Sequence, residues 1–91
     1  MEEKYPIIVS KEIKPIHCTL RKTFDLTVGN KYYVSFGSNR VYTCFLEEIL
    51  HEPSMIIIKM IKENGKTESH QLYPDEIGRT PEEAVINTVT S

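Results

Sequence analysis

The chain has 91 residues, of which 40% are hydrophobic and 26% are charged; this composition is ordinary for one small globular domain and excludes a fibrous or wholly disordered protein. The formal net charge is −2, divided into +3 over residues 1–40 and −5 over residues 41–91, but neither part holds a run of like charges that would form a polyelectrolyte tail. The longest apolar run, Met55–Ile58, is far too short to span a bilayer, so we expect no membrane association.

Residues 1–15 are predicted to form a flexible N-terminal arm, and residues 16–91 a single small β-barrel domain. Pro6 and Pro15 flank a polar stretch that has no clear period, and terminal segments of this composition are commonly mobile. Within the arm, Tyr5–Val9 could pair as an edge strand. The first residues contain no basic region followed by an apolar run, so we expect no signal peptide and a cytoplasmic protein.

Two short segments after the arm alternate apolar and polar residues, as half-buried strands do. They are Ile16–Leu20 and Phe24–Val28. Either segment could add a fifth strand to the four that follow.

Four segments rich in Tyr, Val, Ile, Phe and Thr come next, separated by short turn signals, and they predict an antiparallel meander. These segments are Lys31–Phe36, Arg40–Leu50, Met55–Lys62 and Thr67–Tyr73. In the third, Ile56, Ile58 and Met60 are expected to point inward, which leaves Lys59 outward and sets the register.

The turns between these strands are marked by residues with special backbone preferences. Gly37-Ser38-Asn39 and the segment around Asn64-Gly65 are hairpin signals, because Asn and Gly tolerate positive φ. At Asn64-Gly65 we predict a two-residue turn with positive φ at both positions. Pro53 presets φ in the turn between the second and third strands.

The C-terminal part predicts one tight turn and one short helix. Pro74–Gly78 is expected to form the turn, with Ile77 tucked into the core as a plug. Thr80 begins a capping box that Glu83 completes, and Pro81 occupies the first helical position, where its missing N–H costs nothing. The helix is predicted over residues 81–88 and must dock on the sheet, because two turns are marginal alone. Its expected buried side chains are Ala84, Val85 and Val89.

A meander with turns at these intervals, followed by one tight turn, resembles the SH3-like small barrels. The segment Val28–Val34 is similar to the opening of Tudor-like or KOW-like modules, in which a Gly precedes the first barrel strand. The resemblance covers about residues 28–77. It implies a mainly β fold, either a small antiparallel barrel or a strongly curled meander of four to five strands, here with a short C-terminal helix.

Such modules usually bind nucleic acid, a peptide, or a methylated side chain in an aromatic cage, so the resemblance implies a binding function. The chain departs from the nucleic-acid-binding members by being acidic across its later strands. It also departs from the usual strand order, because a helix follows the tight turn. The fifth strand must therefore be very short or come from the N-terminal segment.

The residue types that bind metals or perform catalysis do not have the spacing that this chemistry needs. The adjacent His17-Cys18 would point to opposite faces of a strand, and no other close pair suits zinc. Phosphate-cradling loops, nucleophile elbows and H-E-x-x-H are all absent from the sequence. We therefore predict a non-enzymatic protein without catalytic residues, metal or cofactor.

Other polar residues of the strands have ordinary structural explanations. Glu47-Glu48 would face opposite sides of a strand, with one of the two at a bulge or on the solvent face. His70 is expected on the solvent side of the last long strand. Cys18 and Cys44 are expected to be buried as small hydrophobic side chains.

The aromatic side chains supply the candidate binding site. Tyr33 and Tyr42 fall on neighbouring strands of one hairpin and are expected to be exposed side by side. Lys31 and Arg40 lie near them in sequence, and such a set could stack on bases or hold a cation. The competing interpretation is that most of these aromatics, Phe36 among them, belong to the core.

The sequence thus predicts a cytoplasmic, non-enzymatic binding module, and the negative net charge favours a protein partner. The first alternative is a nucleic-acid-binding barrel that uses the basic N-terminal portion and the surface of Tyr33 and Tyr42. The second is a structural or inhibitory accessory protein that occupies a partner's groove through an exposed edge strand.

Overall fold

The computed structural model of the chain describes residues 6–9, 26–36 and 39–90. These residues form six β-strands, one 3-10 turn and one α-helix. The strands are β1 (Ile7–Ile8), β2 (Lys31–Ser35), β3 (Arg40–His51), β4 (Ser54–Ile61), β5 (Thr67–Leu72) and β6 (Ile77–Gly78); the 3-10 turn is Pro74–Glu76 and helix α1 is Pro81–Thr90. The predicted strand Ile16–Leu20 lies outside the described residues.

The strands form one antiparallel sheet in the order β5-β4-β3-β2-β6, with β1 added to β3. Each of the four long strands begins and ends within one residue of its predicted segment, so the meander is confirmed. Of the two predicted forms, a small barrel or a strongly curled meander, a closed barrel is not shown, because the described strands form an open sheet. Strands β5 and β6 stand at opposite ends of this order and do not pair, and β6 has only two residues with which to bridge a gap.

The fifth strand of the predicted meander is the very short β6, which pairs with β2. The described part of Phe24–Val28, which begins at Leu26, contains no strand. Within the predicted arm, residues 6–9 lie against the sheet: β1 pairs with β3, and the Val9 N–H donates to the Asn39 carbonyl at 3.0 Å.

The turn between β4 and β5 contains three residues, so the predicted two-residue turn is wrong. Lys62 and Lys66 form the closing pair, and the Gly65 N–H donates to the Lys62 carbonyl at 2.9 Å. Glu63 and Asn64 therefore take the centre of the turn, and Gly65 follows in the left-handed region with φ of 83°. Three-residue hairpins need only this one left-handed position.

The main core lies on one face of the sheet. Alternate residues of each strand supply it, as the period of two requires. Ile56, Ile58 and Met60 are buried there while Lys59 is exposed, as predicted, and Ile77 is fully buried as the expected plug. The other buried members of this cluster are Leu26, Tyr32, Val34, Cys44 and Leu46.

Helix α1 covers the opposite face of the sheet. Ala84 and Val85 pack there with Val9 and Val41, and both helix residues were predicted to be buried. The helix ends at Thr90, two residues later than predicted; the side chain of the third predicted residue lies outside the described set. No helix in the described part of the chain is long and apolar enough to cross a bilayer.

The start of α1 is capped by Thr80 as predicted, but the predicted capping box is only half formed. The Thr80 hydroxyl accepts a hydrogen bond from the Glu83 N–H at 3.1 Å, which satisfies one of the unpaired donors of the first turn. The Glu83 carboxylate does not return this bond to the cap. Instead it accepts from the Arg79 N–H at 3.3 Å and lies 3.5 Å from the Arg79 guanidinium.

Strand β6 and helix α1 approach each other with no room for a side chain between them. A Cβ at Gly78 would lie 2.4 Å from the backbone nitrogen of Ala84, so only glycine fits at this position. The fully buried Asn87 donates a hydrogen bond from its side-chain amide to the Ile77 carbonyl. Helix and strand are therefore held by backbone contact, apolar packing and a buried hydrogen bond.

Candidate functional site

The core face of the sheet continues beyond its buried part into an open groove of about 510 Å³. The lining side chains come from β3, β4 and β5 and from the residue that follows β2. They are Phe36, Arg40, Tyr42, Met60, Lys62, Glu68 and His70. Side chains alternate between the two faces along each strand, and the strand pairing places these residues on the same face as the core. The groove is thus the solvent-open continuation of the core.

Strand β5 explains why the core opens at this place. Its core-side positions are Leu72, His70 and Glu68, which pair with Ile56, Ile58 and Met60 of β4. Of the three β5 residues, only Leu72 is apolar. Because burying an unpaired polar or charged group is costly, the apolar core narrows where the two polar side chains begin. The space above them stays open to solvent.

Glu68 is the centre of a charged network in the groove. One carboxylate oxygen lies 2.6 Å from Nε2 of His70, and the other lies 3.4 Å from Nζ of Lys62. The close contact with His70, followed by the attraction of the Lys62 ammonium, lowers the pKa of the Glu68 carboxyl below its ordinary value. Glu68 is therefore an anion whose partners are supplied by the groove itself.

Tyr42 lines the groove and is held by a hydrogen bond. Its hydroxyl donates to a carboxylate oxygen of Glu63 at 3.2 Å. Partial loss of hydration, followed by this hydrogen bond, raises the pKa of the Tyr42 hydroxyl. Tyr42 is thus a neutral side chain, with its hydroxyl already engaged and its ring available for contact.

Phe36 stands at the rim of the groove and is 53% exposed. Its ring centroid lies 5.0 Å from that of His70, with the planes tilted by 47°. The interpretation that placed Phe36 in the core is therefore wrong. Strand β2 ends at Ser35, so Phe36 follows the last paired residue.

The four predicted binding residues do not form one site. In the register, Tyr33 pairs with Thr43 and Tyr42 pairs with Val34. Cross-strand partners point to the same side, so the two tyrosines face opposite sides of the sheet. The predicted side-by-side arrangement is therefore wrong.

The predicted set separates instead into two pairs. Arg40 and Tyr42 line the groove. Lys31 lies on the other face with its Nζ 5.5 Å from the centroid of the Tyr33 ring, within range of a cation–π contact. Tyr33 is half-buried against the helix-side cluster, so the groove is the stronger candidate site.

Sequence reasoning missed several groove residues, although a signal for them existed. His70 was expected on the solvent side, whereas its side chain is 29% exposed and faces the groove. Both Glu68 and His70 share the parity of Leu72, the apolar residue of β5 that packs against the core. Following this parity along the strand would have placed both polar side chains on the core face.

The bulge expected at Glu47-Glu48 is confirmed, but the expectation that the two side chains face opposite sides of the strand is wrong. Glu47 stands at the irregularity between Leu46 and Glu48 and forms a 3.5 Å ion pair with Lys59, and Glu48 pairs with Ile57, so both glutamates lie on the face opposite the core. Cys44 is fully buried, and burial raises the pKa of its thiol to about 12. Within residues 6–9, 26–36 and 39–90, no three His, Cys, Asp or Glu side chains are grouped so as to hold a metal ion.

Comparison of the chain with protein-family models, curated proteins and solved structures gives no significant match. Its function is therefore argued from the chemistry of the groove.

Proposed function

We propose that this protein is a non-enzymatic binding module whose groove receives a protein partner. The supporting observation is the exposed ring of Phe36, which stands at the rim beside Tyr42 and Met60. Aromatic residues, Met and Arg are enriched at the centres of protein interfaces, where they supply most of the binding energy. The groove offers all three types together.

The arrangement of the strands supports the resemblance to SH3-like small barrels. A meander of four strands leads through a 3-10 turn into a two-residue strand that returns to the first strand of the meander. Modules of this kind commonly bind partners on the surface of the sheet. Since one fold serves many functions, the residues of the groove carry more weight in this proposal than the fold does.

The charges in the groove favour protein over nucleic acid. Arg40 and Lys62 are accompanied by the carboxylates of Glu63 and Glu68. Binding to a phosphate backbone depends on an excess of cations, because its affinity comes from neutralised phosphates and released counterions. The groove has no such excess, whereas mixed charges around an apolar centre are ordinary at protein interfaces.

A comparison of two phenylalanine variants tests this proposal. Phe45 is 39% exposed and shares the parity of Thr43, so it lies on the face of β3 opposite Tyr42. Immobilised wild type, Phe36→Ala and Phe45→Ala are incubated with lysate of the native cells, and retained proteins are quantified by mass spectrometry. We expect a protein that wild type and Phe45→Ala retain and Phe36→Ala loses.

Calorimetry with that purified protein should then show weaker binding to Phe36→Ala alone. Equal retention by both variants would exclude the groove as the binding site. A fluorescence titration with single- and double-stranded oligonucleotides, at low and physiological salt, tests the alternative. Micromolar binding with a steep salt dependence would overturn the proposal in favour of nucleic acid.

A further inference from the structure

Among the described residues, the carboxylates in and beside the groove have partners within the protein, whereas one cation of the lining has no carboxylate partner. Glu68 is held by Lys62 and His70, and Glu63 accepts the hydroxyl proton of Tyr42. Arg40 is exposed, and no carboxylate among the described residues lies within ion-pair distance of it. Its guanidinium is therefore the groove cation available to an incoming anion.

Exposed apolar side chains flank Arg40 on both sides. On one edge of β3, Ile8 pairs with Arg40, so both side chains leave the sheet on the same face, and Ile8 is 60% exposed. On the other edge, Ser35 pairs with Val41 and is followed by the exposed Phe36. Since neighbouring strands are about 4.8 Å apart, the two apolar side chains arise roughly 10 Å from each other, with the arginine between them.

This arrangement specifies the chemistry of the occupant. A guanidinium presents a planar fork of N–H donors that fits a carboxylate with two parallel hydrogen bonds. The apolar neighbours on either side suit aliphatic or aromatic side chains, whose burial would stabilise the complex. The nearby carboxylates of Glu63 and Glu68 disfavour a doubly charged phosphate more than a singly charged carboxylate.

We propose that the partner presents an acidic side chain, Asp or Glu, flanked by apolar side chains, and that its carboxylate pairs with Arg40 between Ile8 and Phe36. This inference rests on the groove being the binding site proposed above. It adds the kind of segment that the groove selects.

Selection from a random peptide library tests the inference without a known partner. Phage-displayed peptides are selected on the wild-type protein, and each enriched peptide is then assayed on Phe36→Ala. We expect enriched sequences that combine an acidic residue with neighbouring apolar ones and that lose binding to Phe36→Ala. Enriched peptides that need Phe36 but carry no acidic residue would overturn the inference and leave the proposed function standing. If no enriched peptide depends on Phe36, the proposed function fails as well.

Titration of one enriched peptide against three variants then assigns the contact. Arg40→Gln should weaken binding about tenfold or more, which corresponds to about 1.4 kcal/mol. Arg40→Lys, which keeps the charge but loses the fork, should recover part of the affinity. Lys59→Gln removes the same charge from the face of β4 opposite Met60 and should bind as wild type does.

Equal weakening by Arg40→Gln and Lys59→Gln would show a general charge effect and contradict the inference. Unchanged affinity of Arg40→Gln would also contradict it. Melting curves of all three variants, matching that of the wild type, exclude loss of folding as the cause. Sedimentation of the free protein is the last control, because association of the chain with itself through Arg40 would make a second copy the occupant and overturn the assignment.

Discussion

Gly78→Ala probes the contact between β6 and α1 most directly. The added Cβ would lie 2.4 Å from the nitrogen of Ala84, 2.8 Å from the carbonyl carbon of Glu83 and 2.9 Å from the Cα of Ala84. All three are backbone atoms, so no side chain can rotate away. The helix itself must move by about 1 Å to bring the contact between the added Cβ and the Ala84 nitrogen to an ordinary van der Waals distance.

That movement disturbs the packing on both sides of the contact. Ala84 and Ile77 are fully buried, and Asn87 donates its buried hydrogen bond to the Ile77 carbonyl. Overpacking of this kind typically costs about 1–3 kcal/mol. For a domain of this size, each kcal/mol lowers the melting temperature by about 4–8 °C. We therefore expect Gly78→Ala to melt roughly 5–20 °C below the wild type.

Thermal and urea denaturation measure this loss, and hydrogen exchange identifies its location. Amides of α1 should lose protection before those of β3 and β4, because the displaced helix is the part that yields. Gly65→Ala is the contrasting variant: nothing lies within 4 Å of its added Cβ, and its cost arises from positive φ alone. It should leave helix protection unchanged. A wild-type melting temperature for Gly78→Ala would refute the argument from close approach.

Two further predictions concern the helix cap and the groove. Thr80→Ala removes the hydroxyl that accepts the Glu83 N–H, and it should lower the free energy of unfolding by about 0.5–2 kcal/mol in urea denaturation; an unchanged midpoint would contradict the cap. In an NMR titration the Glu68 carboxyl should have a pKa below its ordinary value, and His70→Ala and Lys62→Gln should each raise that pKa. Because the pKa is lowered in the folded state, the Glu68 carboxylate stabilises the fold at pH values above its unfolded-state pKa, and this contribution is lost as the pH falls through the folded-state pKa. A Glu68 pKa in His70→Ala equal to that of the wild type would contradict the network.

The strands could be predicted from the sequence because local signals decide them. Alternation of side chains fixes which residues of one strand share a face, and Asn, Gly and Pro mark where a strand must stop. For this reason the inward face of β4, the Thr80 cap and the buried Ile77 were all predictable. Each depends on residues close together in the chain.

The parity of β5 could have placed Glu68 and His70 on the core face, but which side chains of different strands meet in the groove depends on the relation between strands. Alternation assigns Tyr33 and Tyr42 each to a face of its own strand. Only the register between the strands decides whether the two tyrosines lie on the same face of the sheet, and a register shift of one residue would move one of them to the other face. Likewise, alternation assigns Phe36 to the core face without saying whether another strand lies opposite. Its exposure follows from the end of β2 at Ser35, a property of the pairing.

The polar residues of β5, Glu68 and His70, leave the ring of Phe36 uncovered. Apolar side chains at Glu68 and His70 would extend the core and cover Phe36, and fully burying a side chain of that size stabilises a protein by about 1.5–3 kcal/mol. With Phe36 53% exposed, the fold forgoes roughly half of that stabilisation. The same residues keep the groove open, and the Glu68 carboxylate is paired there with the Lys62 ammonium. Only Arg40, among the charged residues described there, still lacks an anion. In the described part of the chain, an uncovered ring and a guanidinium without a carboxylate partner line the same groove, a poor arrangement for a free protein and a suitable one for an acidic, apolar segment of a partner.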